Sequence, residues 1–432
     1  MEVSLKKVVI VGGGFAGLNL AKHLAGRPEF EITLVDRNNY HFFPPLLYQV
    51  STAFIEASNI SYPFRRMFQS QPRFNFFMGS LQHIDIEACT LNTDQGSLKY
   101  DYLVLAMGTE TNFFGLENVR RKALPMKTID DALRLRNHVL LKLEEAARSE
   151  DPKEREKLGN IVIAGGGPTG VEIAGMLAEM GGNIVKKDYP TAARKGLGKI
   201  YLVDALDRLL APMSGKSQHE ADQVLRKLGV KVVLNSAVKD YVDEEVIFSN
   251  GERIASSTLI WTSGVIARSA PGLPDNSTGW GRRIKVDAFN RIHGLNNIFA
   301  IGDLCLQLTD TKFPEGHPQL AQVAIQQGKL LAKNLIRLSR AETLEAFKYH
   351  NKGSMAIIAK FKAVVDLPKG FFKGFFAWLV WLFIHIIPIA GFRNKLKLGF
   401  NWFWSFATND PTLRLIIRPE RQRDESSPAK VD

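Results

Sequence analysis

The stretch Val8-Val9-Ile10-Val11-Gly12-Gly13-Gly14-Phe15-Ala16-Gly17 decides the fold class. Its apolar β-formers predict a buried strand, the glycines a tight turn, and the apolar spacing from Leu18 to Leu24 a helix. In such a unit Gly12 permits the turn, Gly14 lets a pyrophosphate approach the backbone, and Gly17 allows the helix to pack close on the strand. The helix N-terminus adds donors and a favourable dipole. A glycine turn alone is weak evidence, because other α/β proteins have one. Here a second strand, Glu31 to Val35, ends at Asp36, the separation at which a carboxylate takes the ribose hydroxyls of a dinucleotide. Strand, turn, helix and acid together predict a Rossmann-like unit.

The pattern occurs again further along the chain. Ile161 to Ala164 read as a strand, followed by Gly165-Gly166-Gly167-Pro168-Thr169-Gly170-Val171-Glu172 and a helix carrying Ile173 and Leu177. The matching acid is Asp204, at the end of the strand Ile200 to Val203, delayed by a polar basic insertion from about Gly182 to Lys199. A carboxylate there disfavours a 2′-phosphate, so NADH is expected over NADPH, although Arg208 nearby is a cation that can accommodate the extra phosphate. Two dinucleotide folds in one chain have an evident use, one nicotinamide laid against one flavin. The cofactors supply that chemistry, while the protein supplies orientation and exclusion of water.

Composition limits the alternatives. A chain of 432 residues is too long for one ordinary core. With 56 Lys and Arg against 44 Asp and Glu, the net charge of +12 favours an anionic partner, whether nucleic acid, phosphorylated cofactor or membrane. Only Cys89 and Cys305 are present, with no CxxC spacing, so neither a disulfide framework nor a thiolate metal site is indicated, and no metal is expected. Met1 to Lys7 lead into the first strand without a signal-peptide pattern, which predicts a protein facing the cytoplasm.

The sequence resembles the two-dinucleotide-binding flavoproteins through Gly12 to Gly17, the strand Tyr102 to Ala106 with Met107-Gly108-Thr109, and Ile298-Phe299-Ala300-Ile301-Gly302-Asp303. The resemblance implies that FAD lies on the first unit, with Gly302 and Asp303 along its ribityl-pyrophosphate. It implies further FAD contacts at Gly12, Gly14, Phe15, Ala16, Gly17, Asp36, Arg37, Leu81, Ala106, Gly108, Thr109, Gln319, Leu320 and Ala321. NADH would meet Gly165, Gly167, Pro168, Thr169, Gly170, Glu172, Asp204, Ser263 and Gly264. The FAD domain would be discontinuous, with parts at 1–115 and 288–345, a connecting segment at 116–159 and the NAD domain inserted at 160–287.

Relatives that pass electrons to a cysteine pair find no counterpart here, which disfavours disulfide reductase and cysteine-dependent sulfide:quinone chemistry. More informative is Pro318-Gln319-Leu320-Ala321-Gln322-Val323-Ala324-Ile325-Gln326-Gln327-Gly328. Proline suits a helix start, and Ala321 and Ala324 would let a flat ring approach. Gln322 and Gln326 share one face, where their amides either bond a quinone carbonyl or the flavin edge, or cover a solvated surface. This stretch, with His41-Phe42-Phe43-Pro44-Pro45-Leu46-Leu47-Tyr48-Gln49-Val50, resembles the type II NADH:quinone oxidoreductases, single-subunit respiratory NADH dehydrogenases that pump no protons. The resemblance implicates Gln322 and Gln326 at the quinone and Glu172 beside the site of hydride transfer. Spacing alone assigns no base. A buried carboxylate and water are both able to supply the two protons that quinone reduction consumes. Ser51 to Ala57, following Tyr48, departs from the family and leaves the choice between ubiquinone and menaquinone open.

From Phe371 to Phe406 the composition shifts to Phe, Trp, Leu and Ile, with Lys369, Lys373, Arg393, Lys395 and Lys397 around the apolar run. Gly374 to Phe392 carries no formal charge and is nearly long enough to span a membrane, but His385 and Pro388 interrupt it and a second aromatic run follows. Two interfacial helices at an anionic lipid surface fit better, within an anchoring domain at 346–418 on the cytoplasmic face of the membrane. A hydrophobic homodimer interface is the other reading of this segment, and its apolar excess argues against nucleic acid. Residues 419–432 read as a disordered tail. The rivals for the whole chain are a sulfide:quinone type of reductase and an NADH-sensing flavoprotein without turnover.

Overall fold

The computed structural model describes residues 5–408 and 414–416, apart from the side chains of 183, 184 and 406–408; the tail at 419–432 lies outside the described residues. Two five-stranded parallel sheets organise the chain. The first has the order Phe74–Met78, Phe30–Asp36, Lys6–Val11, Tyr102–Leu105, Ile298–Ala300. The second repeats that plan with Lys231–Val233, Ile200–Val203, Ile161–Ala164, Thr258–Trp261 and Leu124–Pro125. In each, the strand leading into a glycine turn is central, so the chain reverses direction across the sheet beside it. The crevice for a dinucleotide opens at that reversal, beyond the carboxyl ends of the strands.

Both sheets are covered by helices on at least one side, and their strands are accordingly almost uniformly apolar: Val8 to Val11 and Ile161 to Ala164 are all buried. The helix Phe15–Leu24 packs against Ala321–Ser339, sharing a core with Ile10, Leu34 and Phe299. A short antiparallel pair, Thr109–Thr111 with Val265–Ala267, carries the chain out of the first unit and back.

That pair corrects the predicted domain limits. The segment 116–159 is not a connector, because Leu124–Pro125 forms the edge of the second sheet and the helix Ile129–Arg148 lies over it. The helix starts at a capping box, with Thr128 and Asp131 each accepting from the other's backbone N–H. At the other limit, Ile284–Val286 pairs with Cys305–Gln307 and its side chains join the core of Val9, Val11 and Leu105. The second unit therefore occupies about 112–264, within the predicted 160–287 at one end and beyond it at the other. A two-residue strand containing proline gives no periodic signal, and proline is tolerated there because the strand is an edge.

The predicted anchoring domain at 346–418 divides in two. Residues Ser354–Ala359, Lys362–Leu367 and Gly370–Lys373 form an antiparallel meander docked on the helix Pro168–Met180. Docking is close enough that a β-carbon on Gly175 would collide with the Ile358 carbonyl oxygen. Only the helices Phe375–Ile386 and Phe392–Thr408 are rich in exposed apolar residues. They bury Trp378, Trp381, Leu398 and Trp402 against the body and expose Phe376, Phe383, Phe392, Phe400 and Phe403. Among the described residues no helix is long and apolar enough to cross a membrane.

Candidate functional site

The first cradle forms where strand Lys6–Val11 ends. Gly12 has φ +104°, and a β-carbon on it would strike the Ala106 carbonyl oxygen. A β-carbon on Gly17 would enter the Gly12 carbonyl oxygen, so the helix start can lie on the strand only while that residue is glycine. Gly14, by contrast, faces open space. Asp36 holds the turn from the next strand, accepting from the Gly13 N–H at 2.7 Å and the Asn38 N–H at 2.8 Å. Burial nonetheless pushes its carboxyl upward, with Arg37 and Arg268 opposing.

The other side of this cradle comes from Gly302, in a left-handed turn at φ +75° beside the methyl groups of Ala16 and Ala324, and from Asp303. Burial raises the Asp303 carboxyl, while Lys127 and Arg283 pull it down. Lys127, which no motif marked, is thus a half-buried cation beside the expected FAD site. Gln319 donates to the Asp303 carbonyl at 2.8 Å. Ala106 is buried, Gly108 lies in a left-handed turn facing open space, and the buried Thr109 hydroxyl has no hydrogen-bond partner among the described residues. An open glycine, an orphaned hydroxyl and a half-buried carboxylate along one crevice suit a dinucleotide, so the residues present fit FAD. Leu81 is half-buried at the start of a hairpin, Leu320 caps the helix Ala321–Ser339, and Arg37 is exposed at the rim.

The second cradle repeats the construction. Gly165 has φ +112° against Thr262, a β-carbon on Gly170 would enter the Gly165 carbonyl oxygen, and Gly167 faces open space. Asp204 accepts from the N–H groups of Gly166 and Leu206. Pro168 and Thr169 open the helix, and Ser263 and Gly264 line the return from strand Thr258–Trp261. Arg208 is drawn to Asp207 at 2.6 Å, which engages the one cation that weakened the case against a 2′-phosphate.

Glu172 lies in the second cradle's helix, 9% exposed, and burial pushes its carboxyl well above the usual carboxylate range despite a backbone hydrogen bond from Ile357. Burial thus favours the neutral form of this carboxyl. Beside it stands the fully buried Tyr48, whose phenol is pushed well up chiefly by burial. Gln49 donates to the Tyr48 hydroxyl at 3.0 Å and accepts from the Trp402 indole N–H at 2.8 Å. A buried polar line thus runs from the second cradle's helix to the exposed C-terminal helices. The sequence signal for Tyr48 and Gln49 is two polar groups within the otherwise apolar Pro44 to Val50. At the same edge His41 bonds the Gly13 carbonyl at 2.9 Å and meets the Phe15 ring, and burial lowers its pKa to about 4. The divergent Ser51 and Thr52 turn inward, both hydroxyls donating to the Tyr48 carbonyl.

The glutamine helix begins at Ala321, not at Pro318. Gln322 and Gln326 do share a face, but their amides are not free: Gln322 bonds the backbone of Lys352 and Gly353, and Gln326 both backbone groups of His350. They hold the irregular segment leading into the meander, each with one N–H remaining. Gln327, which sequence reasoning passed over, is fully buried and accepts from the Gly302 N–H at 2.7 Å. Cys305 lies against it, its thiol pushed up to about 11 by burial, and Cys89 is not its partner. Neither sulfur is placed to take electrons as a thiolate pair.

Two dinucleotide cradles of the same construction in one chain define a two-nucleotide redox flavoprotein. Residues 6–328 match the pyridine nucleotide-disulphide oxidoreductase family. The chain is 35% identical to the type II NADH:quinone oxidoreductase Ndh of Mycobacterium tuberculosis, over 93% of this chain and 88% of that one. The Staphylococcus aureus type II NADH:quinone oxidoreductase is 28% identical over 84% of this chain and 90% of its own. NDH2 of Plasmodium falciparum, solved in complex with NADH, superposes with a TM-score of 0.85 at 22% identity, covering 96% of this chain and all of that one. The chain belongs to the pyridine nucleotide-disulphide oxidoreductases and, within them, to the type II NADH:quinone oxidoreductases.

Proposed function

We propose that the chain is a non-pumping NADH:quinone oxidoreductase, binding NADH in the second cradle and reducing a membrane quinone at the edge facing the C-terminal helices. The first cradle would hold FAD, which would supply the two-electron chemistry between NADH and quinone. The observation that carries this reading is the line Glu172, Tyr48, Gln49 and Trp402, which joins the nicotinamide side to the apolar helices through buried polar groups. In steady state the purified chain with FAD should consume NADH and a short-chain quinone one for one. Sulfide in place of NADH should give no turnover; sustained turnover on sulfide would replace this reading.

In this account the glycine turns bind and orient the dinucleotides, and Asp36 and Asp204 hold the turns and meet ribose. Glu172 holds a proton at its carboxyl oxygen and presents it where quinone is reduced. Gln322 and Gln326 position the helix Ala321–Ser339 on the quinone side, their remaining N–H groups available to a carbonyl. The helices Phe375–Ile386 and Phe392–Thr408 lie in the lipid interface as a peripheral anchor, with their exposed aromatics inserted and their lysines toward anionic headgroups.

Glu172→Gln keeps an acceptor for the Ile357 N–H and adds no charge, so the fold should survive. It removes the titratable proton. Flavin reduction by NADH should change by less than about threefold, while reoxidation by quinone slows by about tenfold or more, the lower range of general acid catalysis. Stopped-flow absorbance of the two half-reactions reads both, and equal slowing would assign Glu172 to NADH binding instead.

A further inference from the structure

Where the strand pair Tyr40–Phe42 and Ser61–Pro63 meets the last helix, a cavity of about 580 Å³ opens. Arg66, Arg393 and Lys397 line it, together with Tyr40, Ser58 and Tyr62 and no acidic side chain. The walls are fixed before any ligand arrives. Asn394 donates to the carbonyls of Ser58 and Ser61, and a β-carbon on Gly391 would collide with the Tyr62 ring. The Arg66 guanidinium lies over that same ring at 5.7 Å. Three cations drawn from separate elements into one concave space repel one another, and an anion would relieve that. The ion pairs among the described residues do not supply one to any of the three.

The surroundings indicate which anion. From the rim of the cavity Phe392, Leu396, Phe400 and Phe403 run along one side of the helix, 75%, 59%, 63% and 69% exposed. Polar cavity and apolar strip are continuous, as a molecule with a phosphate at one end and hydrocarbon at the other requires.

We propose that this cavity is a discrete site for the phosphate headgroup of an anionic phospholipid whose acyl chains lie along the Phe392 to Phe403 strip. The site rests on the peripheral-membrane reading above and adds to it a defined stoichiometry and a preference among anions. Diffuse attraction of lysines to a charged surface would show neither.

The test uses the full-length holoenzyme and three vesicle types: phosphatidylcholine alone, phosphatidylcholine with phosphatidylglycerol, and phosphatidylcholine with a fatty acid at matched surface charge. Phosphatidylglycerol should be preferred over the fatty acid. The pair Arg393→Gln and Lys397→Gln should erase that preference, weakening phosphatidylglycerol binding by about fivefold per cation removed. Lys362→Gln with Lys369→Gln, removing two exposed cations outside the cavity, should affect both anionic vesicles alike, and bound flavin absorbance reports that each variant is folded. Equal binding to the two anionic vesicles, or equal losses from the two variant pairs, would overturn the site. Displacement from phosphatidylglycerol vesicles by equimolar glycerol phosphate would make a free phosphate the occupant and overturn the lipid. Binding to phosphatidylcholine without any preference sinks only this site, whereas failure to bind any vesicle sinks the membrane reading as well.

Discussion

Replacing Phe376, Phe383, Phe400 and Phe403 together with serine should release the protein from membranes into the soluble fraction with its flavin still bound. All four project from the C-terminal helices, between 63% and 76% exposed, so the body does not need them for packing. Each inserted phenylalanine contributes about 1.5 kcal/mol even at the low end of burial energies, so four contribute roughly 6 kcal/mol, about four orders of magnitude in partition. The opposite faces behave differently: Trp381 and Trp402 are buried against the body, and truncating them would open cavities and cost stability. Vesicle sedimentation measures the first effect, and turnover with a short-chain quinone against a lipid quinone measures its consequence. A quadruple variant that still sediments with vesicles would remove the anchor from these helices.

The second large effect separates the two cradles. Gly17→Val drives a side chain into the Gly12 carbonyl oxygen, and Gly170→Val drives one into the Gly165 carbonyl oxygen. Both collisions are with backbone, so no rotamer relieves them, and the helix must leave the strand that supports the dinucleotide phosphates. Gly17→Val should give protein without bound flavin. Gly170→Val should remain yellow and lose NADH affinity by at least about a hundredfold, roughly 3 kcal/mol. Visible absorbance reads the first and an anaerobic NADH titration the second. Loss of flavin from Gly170→Val with NADH affinity intact would exchange the two cradles.

Both cradles were legible because each is a local device: strand, glycine turn, helix and a carboxylate at the end of the next strand lie within a few tens of residues. Gly12, Gly17 and Asp36, like Gly165, Gly170 and Asp204, stand where their spacing put them. Long-range pairings were not legible. Leu124–Pro125 is a strand only because Thr258–Trp261 lies beside it, and the bond from Trp402 to Gln49 joins residues 353 apart. The meander from Ser354 to Lys373 was absorbed into the aromatic composition that follows it, though it belongs to the second unit's helices. Among the glutamines, periodicity marked Gln322 and Gln326 as a face but could not tell that this face meets the backbone at His350 to Gly353, nor that Gln327 points into the core.

The central claim is that the two cradles hold a nicotinamide against a flavin that a quinone can then reoxidise. It is tested most directly by the visible spectrum of the FAD-loaded protein under anaerobic conditions, recorded alone, after one equivalent of NADH, and after one equivalent of quinone. The account predicts that NADH bleaches the flavin band and quinone restores it in full. A band that NADH leaves unchanged, or that stays bleached after quinone, would contradict it.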